Sequence, residues 1–533
     1  VTCRKSHRFG VSLFLLLAAG IHPTFAAAGP GIGILDAVRS TVALHPLIKA
    51  AEEDFNAGVA RRIQASGAFD MHYGWSGLES RAYTPLTDYE RLIALGAGID
   101  TSSQAQNVTD FTAQSSTLLR NGISFGPVLE LSRLADNLEN IGAVSRGRID
   151  FQTDIPLRRG RGREAVTAPE RAAEEAANAA ALQKNETIAS LVYSTALAYW
   201  NYVAALRSLE IHRESERRGA DFLSSVRTLI AADRMPGIEA HQAIANLEAQ
   251  TTARIGAEQR VIEARQSLGY AMGLGAMEAQ AIPPPSENFP AAREGSPALT
   301  DPAAFPTWFS QALTLRAGYL ATEKADRSAD ALRTAARNQL LPEMDLILRS
   351  GYSGLTTGAR PDQYLYSLAD RVQGVDFSAE LRYSFSRGNN LAKGQFAEAE
   401  ANFRKAEYIR TDAANRIASN LVSALAAVET SAAALSRARN SVTEYESALA
   451  GAREKLRLAA GSLIDLLTIE QRLTGSQLDL VNAQLQYALA IVQLRYTSGT
   501  MLGPDPLHPA LESRVFFEPP APPTANPAGG PHK

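Results

Sequence analysis

Apolar residues between 463 and 494 recur at steps of three, four and seven. Leu463, Leu466, Leu473, Leu480, Tyr487, Ile491 and Leu494 form one seam, and Leu467, Leu478, Val481, Leu485, Ala488 and Val492 form a second beside it. Two seams on one helix predict a packed neighbour on each side, in the manner of a coiled coil. Alanine-rich helical patterning dominates much of the chain. From Arg163 to Ala232 no proline follows Pro169, which predicts roughly 105 Å of helix at the usual rise per residue. Asn389 to Ala460 repeats the pattern. Each long stretch is followed by a turn and a helix half as long, 238–274 and 464–500, and half-length helices also occupy 33–66 and 303–341. Two half-length helices end to end match one long one. The lengths therefore predict a wall in which long helices alternate with stacked pairs, because ordinary globular helices run only three or four turns.

Between the helices the period changes to two. Met71, Tyr73 and Trp75 alternate with His72, Gly74 and Ser76, and Phe151, Thr153, Ile155 and Leu157 with Gln152, Asp154, Pro156 and Arg158. In the second half Met344, Leu346 and Leu348 open a strand. Phe377, Ala379, Leu381, Tyr383 and Phe385 alternate with Ser378, Glu380, Arg382 and Ser384. Aromatics on one face and charges on the other suit a membrane barrel, and equally a half-buried soluble sheet.

The two halves match. Residues 154–275 align with 382–503 at a constant spacing of 228. Arg159 and Gly160 pair with Arg387 and Gly388, Ala196 to Ala198 with Ala424 to Ala426, and Leu274 and Gly275 with Leu502 and Gly503. An unbroken register with strands, helices and turns in step predicts an internal duplication. The organisation expected is a first repeat, 29–281, with a loop insert at 79–147, a proline-rich linker at 282–302, a second repeat at 303–503 and a flexible proline-rich tail at 504–533. Within the insert, NGISFGPVLELSRL at 121–134 has the pattern to extend or add a strand.

Composition sharpens the picture at the N-terminus. Arg4, Lys5 and Arg8 precede VSLFLLLAAGI and then TFAAAG, the pattern of a secretory signal peptide over residues 1–28. The single cysteine, Cys3, falls inside it. Without this leader the formal charge moves from −3 to −6, which is no footprint for a nucleic-acid binder. Thr187 to Leu206 carries no charge, long enough to span a bilayer, but it holds Ser190, Ser194, Thr195 and Asn201 and matches a stretch with Arg416 and Glu429. It reads as packed helix.

The eight histidines make no metal-binding spacing, no phosphate loop is present, and RRGRGR at 158–163 sits at a strand-to-helix junction. No cofactor, metal or catalytic residue is expected, and the chain does not read as an enzyme.

The stretches ALHPLIKAAEEDF, IPLRRGRG, ARNQLLPEMDLIL and LAAGSLIDLLTIEQRLTGSQLDLVNAQLQYALAIVQLRYTSG, taken in order, resemble the TolC-like outer-membrane factors over about 33–503. The resemblance implies a mainly α fold, a periplasmic α-barrel of long antiparallel helices, with four strands per chain contributing to a twelve-stranded barrel of a homotrimer in the outer-membrane lipid. It implies partners, a periplasmic adaptor and an inner-membrane transporter, and a passive exit duct for efflux; the same duct serving type I protein secretion, and a soluble periplasmic coiled-coil adaptor or scaffold, stay open. Adaptor contacts would lie at the helical tips, Asp233, Arg234, Met235 and Pro236 with Gly461, Ser462, Leu463 and Ile464. Acidic residues beyond the second turn would form the periplasmic gate. Asp465 matches the first of these, and Thr468 stands where the second is expected. Asp465 also suits the start of any helix, where the dipole favours a carboxylate.

Overall fold

In the computed structural model, residues 31–138, 142–233, 236–292, 302–358, 360, 363–371, 374–457, 462–503 and 511–523 are described. The expected leader and Cys3 lie outside them. The order of elements is α1 (Ile34–Leu44), α2 (Pro46–Ser66), β1 (His72–Pro85), α3 (Asp88–Gly96), β2 (Ser103–Leu118), β3 (Ser124–Asp136), β4 (Ala143–Pro156), α4 (Arg163–Val166), α5 (Ala168–Ala231), α6 (Glu239–Ala271) and α7 (Ala276–Gln280). There follow α8 (Phe305–Leu315), α9 (Ala317–Gln339), β5 (Glu343–Gly358), α10 (Gln363–Tyr366), β6 (Val375–Ser384), α11 (Asn390–Arg457) and α12 (Leu463–Thr497).

The 64 residues of α5 and 68 of α11 each reach about 100 Å. α5 carries α2 and α6 along one flank and α9 and α12 along the other, and α9 and α12 in turn pack on α11. This is the alternation of long helices with stacked pairs that the lengths predict. The seams of α12 divide as expected: Tyr487, Ile491 and Leu494 join Leu421, Leu425 and Trp308, while Ala488 and Val492 join Val192, Ala196 and Trp200. α11 also holds a window apolar enough to cross a membrane by composition, at a mean hydropathy of 1.3.

The opening helices are each broken, which the sequence did not predict. His45 and Arg316 are single extended residues, with φ −66° and −70° and ψ 124° and 107°. Pro46 explains the first, because a residue before proline is driven out of the helical region. No proline follows Arg316. There Glu186 of α5 takes the Gly318 N–H at 3.0 Å and the Arg316 guanidinium at 2.6 Å, so a distant carboxylate caps the new helix.

Both breaks are filled by a glycine that ends a neighbouring helix. Gly273 and Gly499 have φ of 79° and 76°. A Cβ on Gly273 would lie 2.7 Å from His45 Cα, and one on Gly499 2.8 Å from Leu315 Cβ. The caps agree bond for bond: Met272 and Gly273 donate to Leu268 and Tyr270, Ser498 and Gly499 to Leu494 and Tyr496. These caps are 226 residues apart, whereas the left-handed Gly160 and Gly388 are 228 apart. The constant spacing read from the sequence therefore does not hold to the helix ends. α11 and α12 reach their tip and return in two residues fewer.

The sheet has six antiparallel strands in the order β1-β2-β3-β4-β5-β6. The expected four are β1, β4, β5 and β6. The insert supplies the other two, β2 and β3, together with α3, so it is not merely a loop beyond the strands. Residues 511–523 correct the flexible tail: Val515 and Phe516 are buried, and Arg495 donates to the carbonyls of Glu518 and Pro519. Phe517 meets Trp200 edge-on and Phe289, from the described part of the linker, stacks on it. Phe516 and Phe517 provide the apolar area that the prolines around them lack.

His45 and His212 are buried within this helical body. Burial lowers both pKa values, aided at His212 by Arg260. The unfolded chain then binds more protons than the folded one as pH falls, so their contribution is complete above the unfolded value near 6.5 and fades below it. Thermal unfolding followed by circular dichroism should shift downward between pH 7.5 and 5. In His212→Gln the shift should be smaller; an identical shift would assign the pH dependence elsewhere.

Candidate functional site: a two-faced sheet and helical tips

Register assigns every strand residue to one of two faces. Opposite partners such as Asp150 and Gly351, Asp345 and Arg382, Arg148 and Glu130, or Asp110 and Ser132 share one face. That face carries Asp110, Glu130, Asp136, Asp150, Asp154, Glu343, Asp345, Asp376 and Glu380 against Arg146, Arg148, Arg349 and Arg382, an excess of five negative charges. The charges are laced together: Arg148 bonds Asp150 at 2.5 Å, Arg382 bonds Glu380 at 3.1 Å and Arg349 bonds Gln152 at 3.0 Å.

The other face is apolar over most of its height. Tyr73, Trp75, Phe151, Phe377, Leu381 and Tyr383 all lie on it, and all are exposed, Trp75 by 81%. Its charges, Glu79, Arg81 and Arg133, fall near the end away from the helices. Soluble proteins rarely leave such a contiguous aromatic surface in water. An apolar outer face with a charged inner one is the division a transmembrane barrel requires. At the far end α10 folds back over the apolar face, where Thr356 donates to Asp370 at 2.5 Å and Ser367 is fully buried.

The sheet is seated on the helices by polar contacts. Arg159 bonds Glu343, Gly160 N–H donates to Asn338 at 2.7 Å, and Arg120 grips Glu170 of α5 at 2.7 and 3.0 Å.

At the opposite end α5 and α6 meet around Asp233 to Gly237, where Asp233 takes a left-handed φ of 58°. Arg234, Met235 and Gly461 lie outside the described residues. Ser462 caps α12 by accepting the Ile464 N–H at 3.2 Å. Asp465 and Thr468 are both exposed, and Thr468 donates to the Ile464 carbonyl at 2.8 Å. Leu463 differs from its expected place in a contact surface: it is buried among Phe222, Val226 and Leu449. Ile464 stays exposed, as does Ile238 on the other tip, a residue sequence reasoning missed although it follows Gly237 directly.

Glu470 was missed too. It is 4% exposed and bonds Arg453 of α11 at 2.8 Å, with Arg218 of α5 at 3.9 Å. Arg218 also reaches Thr474 at 3.2 Å, and Gln471 reaches Asn246 of α6 at 3.3 Å. These contacts tie the two helical hairpins together close to their tips.

No family model and no curated protein matches the chain, but solved structures do. The outer-membrane channel OprN superposes with a TM-score of 0.63 at 13% identity, over 88% of this chain and 90% of its own. The Campylobacter jejuni CmeC outer membrane channel gives 0.62 at 15%, over 88% and 86%. The open state of the Neisseria gonorrhoeae MtrE outer membrane channel gives 0.60 at 15%, over 90% of each. The fold is that of the TolC-like outer-membrane channels. This outer-membrane channel fold covers both the sheet and the helices, so the two-faced sheet and the tips are parts of one architecture.

Proposed function

We propose that this chain is the outer-membrane duct of a tripartite efflux pump. Three copies enclose a passive channel, the sheets embedded in lipid and the helices extending into the periplasm. A periplasmic adaptor docks at the tips around Asp233, Pro236, Ser462 and Ile464, and an inner-membrane transporter supplies the substrate. The observation that carries this reading is the sheet, apolar and exposed on one face and acidic on the other. Barrels are spanning structures that need no apolar helix, since their backbone bonds close between strands. The matched sequence halves and the shared fold support the same reading. Asp465, exposed in the first turn of α12, is the gate candidate, with Thr468 one turn further.

Three measurements test it. The protein should fractionate with outer membranes and run as a heat-labile trimer after detergent extraction; release with the soluble periplasm would overturn the reading. In planar bilayers the channel should prefer cations, because the acidic excess of the inner face concentrates them. A reversal potential favouring anions would contradict that lining. Asp465→Ala should alter conductance or block by multivalent cations, and unchanged behaviour would remove Asp465 from the gate.

A further inference from the structure

The hairpin β2–β3 runs the full height of the sheet. Its turn, Leu119 to Ile123, reaches the helices, where Gly162 N–H donates to the Asn121 carbonyl at 3.2 Å beside the Arg120–Glu170 pair. Its faces continue those of its neighbours: Phe111, Phe125 and Leu129 on the apolar side, Asp110 and Glu130 on the acidic side.

Both ends of the sheet are open. Among the described residues β1 pairs only with β2 and β6 only with β5. The helical layer ends in the same way, α2 leading into β1 at one margin and α11 following β6 at the other. Exposed apolar residues mark both margins, Ile63 and Ile255 on α2 and α6, Tyr408 and Val422 on α11. The two margins are different surfaces, as a head-to-tail ring requires. With six alternating strands, β6 of one copy meets β1 of the next antiparallel, so the ladder closes without a change of type.

The widths agree as well. Strands about 4.8 Å apart and tilted by roughly 40° each occupy about 6 Å of circumference, so six take about 37 Å. Four helices at about 9 Å spacing take about 36 Å. Four strands would take only about 25 Å at that tilt and leave the sheet about a third narrower than the helical layer below it.

We propose that β1 of one copy pairs with β6 of the next and that β2–β3 is a wall element. The three-copy duct of the preceding section, on which this rests, then closes with eighteen strands rather than twelve, at a diameter of roughly 35 Å.

Single cysteines in a Cys3→Ser background, labelled with an environment-sensitive dye in reconstituted vesicles, test the wall directly. A label at Leu129→Cys should be quenched by brominated acyl chains to an extent similar to one at Phe377→Cys on β6. A label at Val128→Cys should respond to aqueous iodide instead. If Phe377→Cys is quenched by lipid while Leu129→Cys answers only to iodide, the hairpin lies outside the wall and the inference fails while the duct stands. If neither is quenched by lipid, the duct reading fails and takes the inference with it. For the edge, Ser76→Cys with Ser378→Cys should give two- and three-chain bands with a short bis-maleimide, and neither single variant should. An intact trimer that yields no linked bands overturns the β1–β6 contact.

Discussion

Glu186→Ala should destabilise the helical body by about 3 kcal/mol, the lower end of the cost of removing one partner from a buried ion pair, since this pair is mostly rather than fully buried. The Arg316 and Glu186 side chains are only 14% and 15% exposed. Glu186 takes bonds from Arg316, from the Gly318 N–H and from the Tyr496 hydroxyl at 2.9 Å. Burial, followed by the Glu186 charge, pushes the Tyr496 hydroxyl up to about 12, so it remains a donor at any physiological pH. The Arg316 guanidinium lies 4.4 Å from the Tyr496 ring centre. Alanine leaves that cation buried without its carboxylate and uncaps α9. The double variant Glu186→Leu/Arg316→Leu should recover much of the loss, since both charges go together. Denaturant unfolding followed by helical circular dichroism measures both. A single variant as stable as the parent would show the pair to be idle, and a double variant no better than the single would show the cap to matter more than the charge balance.

Trp200→Ala should be of similar or larger size, about 3–5 kcal/mol, with a local signature. Trp200 is fully buried on α5, with Phe289 5.7 Å and Phe517 5.5 Å away by ring centres. It holds both the linker and the tail against the middle of α5. Brief proteolysis of the variant should cut first near 282–292 and 511–523, segments the parent protects. The indole N–H has no hydrogen-bond partner among the described residues, so Trp200→Phe loses packing volume but no bond and should be much milder. Equal damage from Phe and Ala would point to the indole nitrogen rather than to the rings.

Much of the architecture was legible because it rests on long-range periodicity. The seams of α12 meet two different clusters, one built on Trp200 and one on Trp308, and two seams were visible in the order of residues. β6 was legible from Phe377, Leu381 and Tyr383, whose face is exposed and apolar. β2 was not. SQAQNVTDFTAQSSTL places polar residues on both faces, and its place in the sheet comes from backbone pairing with β1 and β3 on either side. The break at Arg316 was hidden for another reason: its cause, Glu186, lies 130 residues away. At the first tip the turn could be read from Asp233 and Pro236, but the outward direction of Ile238 and, across from it, the inward direction of Leu463 could not. Those depend on how α5, α6, α11 and α12 converge.

A chain that leaves the helices and crosses the sheet once ends on the wrong side to resume its path. Crossing twice brings it back to where it started. An insertion that adds two crossings can therefore enter one loop and leave everything downstream untouched, from the strand that follows to the helix it feeds. The segment 103–136 satisfies this rule, with β1 and β4 keeping opposite directions on either side of it. On this geometry the girth of such a wall is a quantity that changes by whole hairpins. It can be altered without redesigning the helices, and an odd number of added crossings is barred.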